Sequence, residues 1–146
     1  MPKVLGELRR GAEEAGRDPG SLEVVVRLHV AITDSLAEGR AAMRLAFGPY
    51  LAAAGYNRFF RYIGYEREMQ ALGEAFASGD RAGVGAAMND AICDAVGVTG
   101  PLAHVRSRLA AYAATGVDVI AVNPIAQDLD VQRATFAGLA DALTAG

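Results

Sequence analysis

The sequence predicts a helix-rich α/β fold with parallel strands. Two segments are typical of strands: residues 22–33 are rich in β-branched side chains, and residues 117–122 are short and almost wholly apolar. Helical periodicity before, between and after them indicates alternating helices and strands, an order that favours a parallel sheet. With 146 residues, 52% of them hydrophobic and 21% charged, the chain can build one domain with a substantial core.

The first predicted unit is a helix at 3–16 followed by the strand at 22–33. Gly16 is expected to end the helix, because glycine adopts the left-handed conformation common just past a helix terminus. Side chains alternate along a strand, so the even-numbered positions form one wholly apolar face. The odd-numbered positions form a mixed face that carries His29 and Thr33.

Residues 34–97 are predicted to form a helical insertion between the two strands. Thr33 or Asp34 is expected to cap its first helix, and Pro49 to kink or restart that helix. Two more helices are predicted after an aromatic cluster, separated by the turn at 78–80. A simple crossover between parallel strands needs far fewer residues than this, which is why the segment is interpreted as an insertion.

The remaining segment, residues 98–146, is predicted to be a helix, a strand and a helix. Thr99 is the expected N-cap of the first helix, and Pro101 suits its first turn. The strand at 117–122 is expected to end at Asn123 and, being apolar throughout, to be covered on both faces.

Two strands do not make a stable sheet, because each leaves unpaired backbone edges. A TIM-type (β/α) barrel has eight strand–helix units in roughly 250 residues. The chain is therefore interpreted as two β/α units of such a barrel. In this interpretation residues 1–146 form a single partial domain, divided into 1–33, 34–97 and 98–146.

Composition narrows the classes of partner. The net charge is −3 and the basic residues are scattered, which argues against a nucleic-acid surface. No segment has the length and apolarity of a membrane span, and the first residues lack the apolar core of a secretory signal. The single cysteine, Cys93, excludes an internal disulfide and fits a cytoplasmic location; a buried, unreactive thiol is expected. With only two histidines besides, no metal site is predicted.

Candidate site residues follow first from the strand ends, because β/α barrels place active sites at the C-terminal ends of their strands. These candidates are His29, Thr33, Asp34, Asn123, Pro124 and Gln127. A polar strand face near the barrel mouth could reach a ligand. The alternatives for His29 are a core histidine that bonds a neighbouring carbonyl, or a strand face left exposed to solvent because the rest of the barrel is missing.

A second set of candidates comes from the aromatic cluster. Tyr56, Asn57, Arg58, Phe59 and Tyr62 could line a pocket for a planar cofactor or an apolar substrate. Arg58 could bind a phosphate or carboxylate. The alternative is that these rings simply pack against one another, as aromatic side chains at helical spacing often do.

Several motifs, in their order and spacing, resemble the C-terminal part of the luciferase-like monooxygenase family, and especially its members that use a deazaflavin. The motifs are Ala15-Gly16-Arg17-Asp18-Pro19 leading into Leu22, then Tyr56, Phe59 and Gly64, the Gly100–Leu109 helix, and Gly116-Val117-Asp118. The motif at the start of the Gly100–Leu109 helix departs from the family pattern. Where the family has Gly-Thr/Ser-Pro-Glu-Glu, this chain has Gly100-Pro101-Leu102-Ala103-His104, so that His104 replaces an acid and is expected on a solvated face.

The resemblance implies a barrel oxidoreductase that transfers hydride equivalents or activates oxygen through FMN or the deazaflavin coenzyme F-420. The strands at 22–33 and 117–122 would be the seventh and eighth, with the insertion over the mouth of the active site. The family residues that bind most of the cofactor lie upstream of the matching segment. The isolated chain is therefore expected to be inactive, with catalytic residues unknown.

The alternative function is a non-catalytic helical module derived from that barrel, which dimerises or binds a partner through residues 36–96. Both interpretations predict self-association, with a homodimer favoured, because the strand edges and apolar faces need cover. The catalytic interpretation also predicts a small-molecule substrate as a partner. Neither a nucleic acid nor a membrane is expected as a partner.

Overall fold

The computed structural model describes residues 2–125 and 129–144, which form a helix-rich α/β fold with a small parallel sheet. The helices and strands, in chain order, are α1 (Pro2–Glu14), β1 (Val25–Ile32), α2 (Leu36–Ala52), α3 (Ala54–Tyr62), α4 (Glu66–Ala77), α5 (Arg81–Ala87), α6 (Asp90–Val96), β2 (Gly97–Gly100), α7 (Leu102–Ala113), β3 (Val119–Pro124) and α8 (Leu129–Thr144). A short 3-10 turn, Pro19–Ser21, precedes β1. Within the described residues, no helix has the length and apolarity needed to cross a membrane.

The described sheet has three parallel strands in the order β2-β1-β3, so β1 is central. His29 in β1 is in register with Asn123 in β3 and with Gly97 in β2. The prediction of two strands was wrong, because β2 was missed. β1 and β3 pair directly, as two successive strands of a β/α barrel do.

The two faces of the sheet are covered differently. The even-numbered apolar face of β1, predicted from the alternation, packs against α7 and α8. This core contains Leu28, Val30, Val98, Val105 and Leu139, and burial of each such side chain contributes roughly 1.5–3 kcal/mol. The odd-numbered face points the other way, and the inserted helices cover only its C-terminal end.

Helices α2 to α6 lie between β1 and β2 and have a core of their own. Its buried side chains are Met43, Leu51, Phe60, Met69, Leu72, Met88, Ile92 and Cys93. Cys93 is buried, as predicted, and this burial raises the pKa of its thiol. Three methionines among these residues suit an irregular junction between short helices, because methionine adapts its shape to the space available.

Several local predictions were wrong. The first inserted helix is capped by Ser35, whose hydroxyl oxygen accepts from the Glu38 N–H at 3.2 Å, and not by Thr33 or Asp34. Thr99 lies buried inside β2, and the residue at the N-cap position of α7 is Pro101. Strand β2 was not predicted, because glycine is a poor strand former and two of its four residues are glycines.

Two further boundaries differ from the prediction. The helix predicted after the turn at 78–80 is two helices, α5 and α6, because the chain breaks at Met88 and restarts after Asn89, whose side chain caps α6. β3 begins at Val119 and ends at Pro124, so it is shifted by two residues from the predicted 117–122 and includes Asn123 and Pro124. β3 is only half-buried, against the expectation of cover on both faces, since it lies at the edge of the described sheet.

Candidate active site

A cavity of about 700 Å³ lies where the C-terminal half of the mixed sheet face meets the inserted helices. The strands contribute three polar side chains to its wall, from Arg27, His29 and Asn123. The helices contribute aromatic rings. These are Phe47 and Tyr50 from α2 and Tyr56, Phe59 and Phe60 from α3.

The most specific polar contact in this cavity joins His29 and Asn123. Their strands pair in parallel and in register, so both side chains point to the same face. The Asn123 side-chain amide donates to His29 Nδ1 at 3.1 Å. That contact fixes the neutral tautomer with its proton on Nε2, which leaves one ring N–H as a donor.

Burial and charge keep His29 neutral. Burial lowers the pKa of His29 below its usual 6.5, and the nearby Arg27 guanidinium lowers it further. The Phe47 ring lies against the imidazole, with ring centroids 4.4 Å apart. The structure thus supports neither a charged histidine nor the expected alternative of a bond to a backbone carbonyl.

The aromatic wall follows from helical spacing. Phe47 and Tyr50 are three residues apart on α2, and their ring centroids are 5.9 Å apart. Phe59 and Phe60 meet edge to face at 5.7 Å, and Phe60 is buried whereas Phe59 is half exposed. The outcome is an apolar slot with rings on the helix side and polar groups on the strand side.

The structure brings five of the predicted candidates together. His29, Asn123 and Pro124 from the strand ends meet Tyr56 and Phe59 from the aromatic cluster in this one cavity. The pocket and packing interpretations of the aromatic cluster therefore both apply, to different rings. Tyr56 is exposed toward the cavity, whereas Phe60 belongs to the core of the insertion.

Other candidates lie away from the cavity. The Thr33 hydroxyl donates to the Ser35 carbonyl at 2.9 Å. The Asn57 amide donates to the Met69 carbonyl at 2.8 Å and accepts from Arg61 at 2.8 Å, so it joins α3 to α4.

The remaining candidates take no part in the cavity wall either. The Tyr62 ring lies under the Lys3 ammonium, 3.5 Å from its centroid. Arg58 and Asp34 are exposed, and neither lines the cavity. His104 is half-buried, against the expectation of a solvated face. Gln127 lies outside the described residues.

The sequence placed Arg27 on the same strand face as His29 without naming it as a candidate, and it did not predict Phe47 and Tyr50 as parts of the wall. Arg27 had a signal, because it alternates with His29 along the strand and must share its face. Phe47 and Tyr50 had only their helical spacing, which equally fits a buried core. Nothing local indicated that α2 folds back over β1.

The cavity fits a planar, partly polar ring system. Its volume lies in the range of roughly 300–1,000 Å³ typical of small-molecule sites, and its walls are mostly apolar, with several aromatic rings and a few convergent polar groups. Asn123 and His29 can hydrogen-bond the edge of a heteroaromatic ring, and Arg27 can pair with an anion. In residues 2–125 and 129–144 no cluster of three or more histidine, cysteine or acidic side chains is placed to hold a metal ion.

Comparison with known proteins agrees with the sequence resemblance. No curated protein matches the chain. The family model described as luciferase-like monooxygenase, however, matches residues 2–119, which span α1 through the first residue of β3. The match covers most of the chain and includes the cavity residues on β1, α2 and α3, whereas Asn123 and Pro124 on β3 lie beyond it. The chain therefore belongs to the luciferase-like monooxygenase family.

Proposed function

We propose that the chain is the C-terminal part of a flavin- or deazaflavin-dependent oxidoreductase, and that its cavity receives the ring system of FMN or coenzyme F-420. The observation that carries the proposal is the aromatic slot closed on one side by the paired His29 and Asn123. Family membership supports the oxidoreductase class.

Each part of the wall has a proposed role. The bound flavin or deazaflavin would supply the hydride chemistry. Asn123 holds the neutral His29 so that its Nε2–H can orient a ring carbonyl or a substrate oxygen. Arg27 provides a positive charge for an anionic group. Phe47, Tyr50 and Tyr56 exclude water from one side of the slot.

The proposed setting is a (β/α) barrel in which β1 and β3 are the seventh and eighth strands. Two features support it: β1 and β3 are adjacent and parallel, and helices α7 and α8 pack on one face only. The opposite face would then be the barrel interior, capped by the inserted helices. Full activity would need the other strands, so we expect the isolated chain to bind ligand but not to turn over.

A fluorescence titration of the purified chain with FMN, and separately with coenzyme F-420, tests this proposal. We expect saturable binding of at least one of them. His29→Leu and Asn123→Leu should each weaken that binding about tenfold or more, which corresponds to roughly 1.4 kcal/mol. Arg106→Gln, an exposed change on α7 outside the cavity, is the control and should bind as the wild type does. Absence of binding to both cofactors would contradict the proposal.

A second function, self-association as a homodimer, is favoured by one observation. Among the described strands, β3 has no partner strand on its outer edge. At the N-terminal ends of β1 and β3 the sheet is also uncovered, since the side chains of Val25 and Val119 are 54% and 40% exposed. Unpaired strand edges beside exposed apolar side chains are sites where chains associate.

Sedimentation velocity over a wide concentration range tests this second proposal. We expect the average mass to rise with concentration, and Val119→Lys to suppress the rise, because a charge on the open face opposes burial. Leu8→Lys on α1, where Leu8 is 44% exposed, is a matched control that should leave association unchanged. A wild-type chain that stays monomeric at every concentration would exclude this function.

A further inference from the structure

A second cavity of about 760 Å³ lies on the other side of the Phe59–Phe60 pair from the candidate active site. Its apolar wall is formed by rings and aliphatic side chains from α1, α3, α6 and α7 and from the segment that follows α3. These include Val4, Phe59, Phe60, Ile63, Tyr65 and Tyr112. The two cavities share Phe59, Phe60 and Ala95, so a single layer of side chains separates them.

The charges around this second cavity are unbalanced. It is lined by two cations, Lys3 and Arg108, and one acid, Asp94. The Asp94 carboxylate is already neutralised, because Arg40 Nε and Nη2 donate to its two oxygens at 3.0 and 2.6 Å. Within the described part of the chain, neither Lys3 nor Arg108 forms a salt bridge.

Both cations are positioned by contacts that leave donors unused. Arg108 Nη2 donates to the Asp94 backbone carbonyl at 3.1 Å, and its guanidinium stands 5.8 Å from the centre of the Tyr112 ring. Four of its five N–H donors remain for a ligand, by the inventory of a guanidinium group. Lys3 donates to the Tyr62 carbonyl at 3.3 Å and its ammonium lies 3.5 Å from the centre of the Tyr62 ring, which leaves at least one of its three N–H groups for a ligand.

We propose that this second cavity binds a small aryl carboxylate. The ring would lie against the aromatic wall, and the carboxylate would accept from Arg108 and Lys3 at the rim. The rings of Phe60 and Tyr65, with centroids 6.0 Å apart, give the wall the geometry of aromatic packing. This proposal does not depend on the cofactor that we propose for the first cavity.

Isothermal titration calorimetry of the purified chain with naphthalene-2-carboxylate tests the proposal. The probe matches the cavity in having a two-ring apolar body and one carboxylate. The neutral naphthalene-2-carboxamide has the same body without the charge. We expect the carboxylate to bind at least tenfold more tightly than the carboxamide. We also expect added salt to reduce that advantage, because rim charges are screened. Equal affinity for the two probes, or no binding of either, would overturn the proposal.

Substitutions in each cavity show which of the two binds the carboxylate probe. Arg108→Gln and Lys3→Gln should each reduce carboxylate affinity about tenfold, and Arg106→Gln on the same helix as Arg108 should not. Circular dichroism of each variant checks that the fold is kept. Arg27→Gln, which removes the cation of the first cavity, should leave carboxylate binding unchanged. If Arg27→Gln weakens binding and Arg108→Gln does not, the carboxylate occupies the first cavity and the proposal is wrong.

Discussion

His29 lies on the face of β1 that borders the candidate active site. Because β1 and β3 pair in register, its side chain meets that of Asn123, which is 94 residues away in sequence. The tautomer of the imidazole therefore depends on the pairing of two distant strands.

The lowered pKa of His29 predicts how stability depends on pH. In the unfolded chain the imidazole gains a proton as the pH falls below 6.5, whereas in the folded chain it stays neutral until a lower pH. The unfolded state therefore binds more protons in this window, and the free energy of unfolding decreases as the pH falls from about 6.5 to the folded pKa.

Urea unfolding at several pH values checks this prediction, with His29→Gln as the comparison. The variant should lose the part of the pH dependence that lies just below pH 6.5. An NMR titration of the two histidines in the chain gives the pKa directly, with the variant identifying the His29 signal. A His29 pKa at or above 6.5 would contradict the prediction.

Among the strands, β2 depends on the small size of Gly97. A β-carbon at this position would collide with the Met43 methyl group and lie 2.6 Å from the His29 carbonyl oxygen. We expect Gly97→Ala to lower the free energy of unfolding by about 1–3 kcal/mol, as overpacking does. Gly11→Ala in α1, where a β-carbon meets nothing within 4 Å, should raise it by up to about 1 kcal/mol. Urea unfolding of both variants would show opposite signs, and a neutral Gly97→Ala would contradict the packing described.

Helices α2 and α6 are joined by ion pairs centred on Arg40. Its guanidinium contacts Asp94 at 2.6 Å and Asp90 at 2.7 Å, and its side chain is only 21% exposed. We expect Arg40→Gln to reduce the free energy of unfolding by about 1–2 kcal/mol, because it breaks a two-point, partly shielded pair.

The matched control for Arg40 is Arg10→Gln. Arg10 pairs with Glu7 and Glu14 on the exposed side of α1, where its side chain is 65% exposed. Exposed pairs contribute roughly 0–1 kcal/mol, so this variant should change little. Urea unfolding measures both variants. If the free energy of unfolding fell equally in the two, the ion pairs between α2 and α6 would stabilise the fold no more than the exposed pairs on α1 do.

The elements were predicted with uneven success, and the reasons are physical. β1 was found because β-branched residues alternate over its whole length. β2 was missed because it is short and contains two glycines, and its strand conformation is imposed by pairing with β1. The cap at Ser35 was misassigned because Thr33 and Asp34 are equally good cap residues, and only the geometry of the chain selects among the three.

The architecture of the whole chain was predicted in outline and not in detail. Periodicity predicted an α/β fold with helices between the strands, and the resemblance predicted the family that the comparison confirms. The order β2-β1-β3 was not predictable, because pairing partners far apart in sequence leave no local signal. The first cavity depends on that order, which is why Phe47 and Tyr50 could not be placed in advance.

The long separation between paired strands predicts an order of folding. Contacts within α2 to α6 are mostly local, whereas His29 and Asn123 are 94 residues apart. Chain closure over such a distance carries an entropic cost, so non-local pairing forms late. Pulse-labelling hydrogen exchange during refolding should protect the amides of α4 before those of β1. Simultaneous protection would contradict this order.

The central position of β1 has a consequence during synthesis on the ribosome. β1 leaves the ribosome before α7, β3 and α8, which cover its apolar face and one edge, have been made. Until then a β-branched, aggregation-prone segment has no cover, and the inserted helices can shield only its C-terminal end. A nascent chain that stalls before β3 would therefore be a target for chaperones that recognise exposed apolar strands.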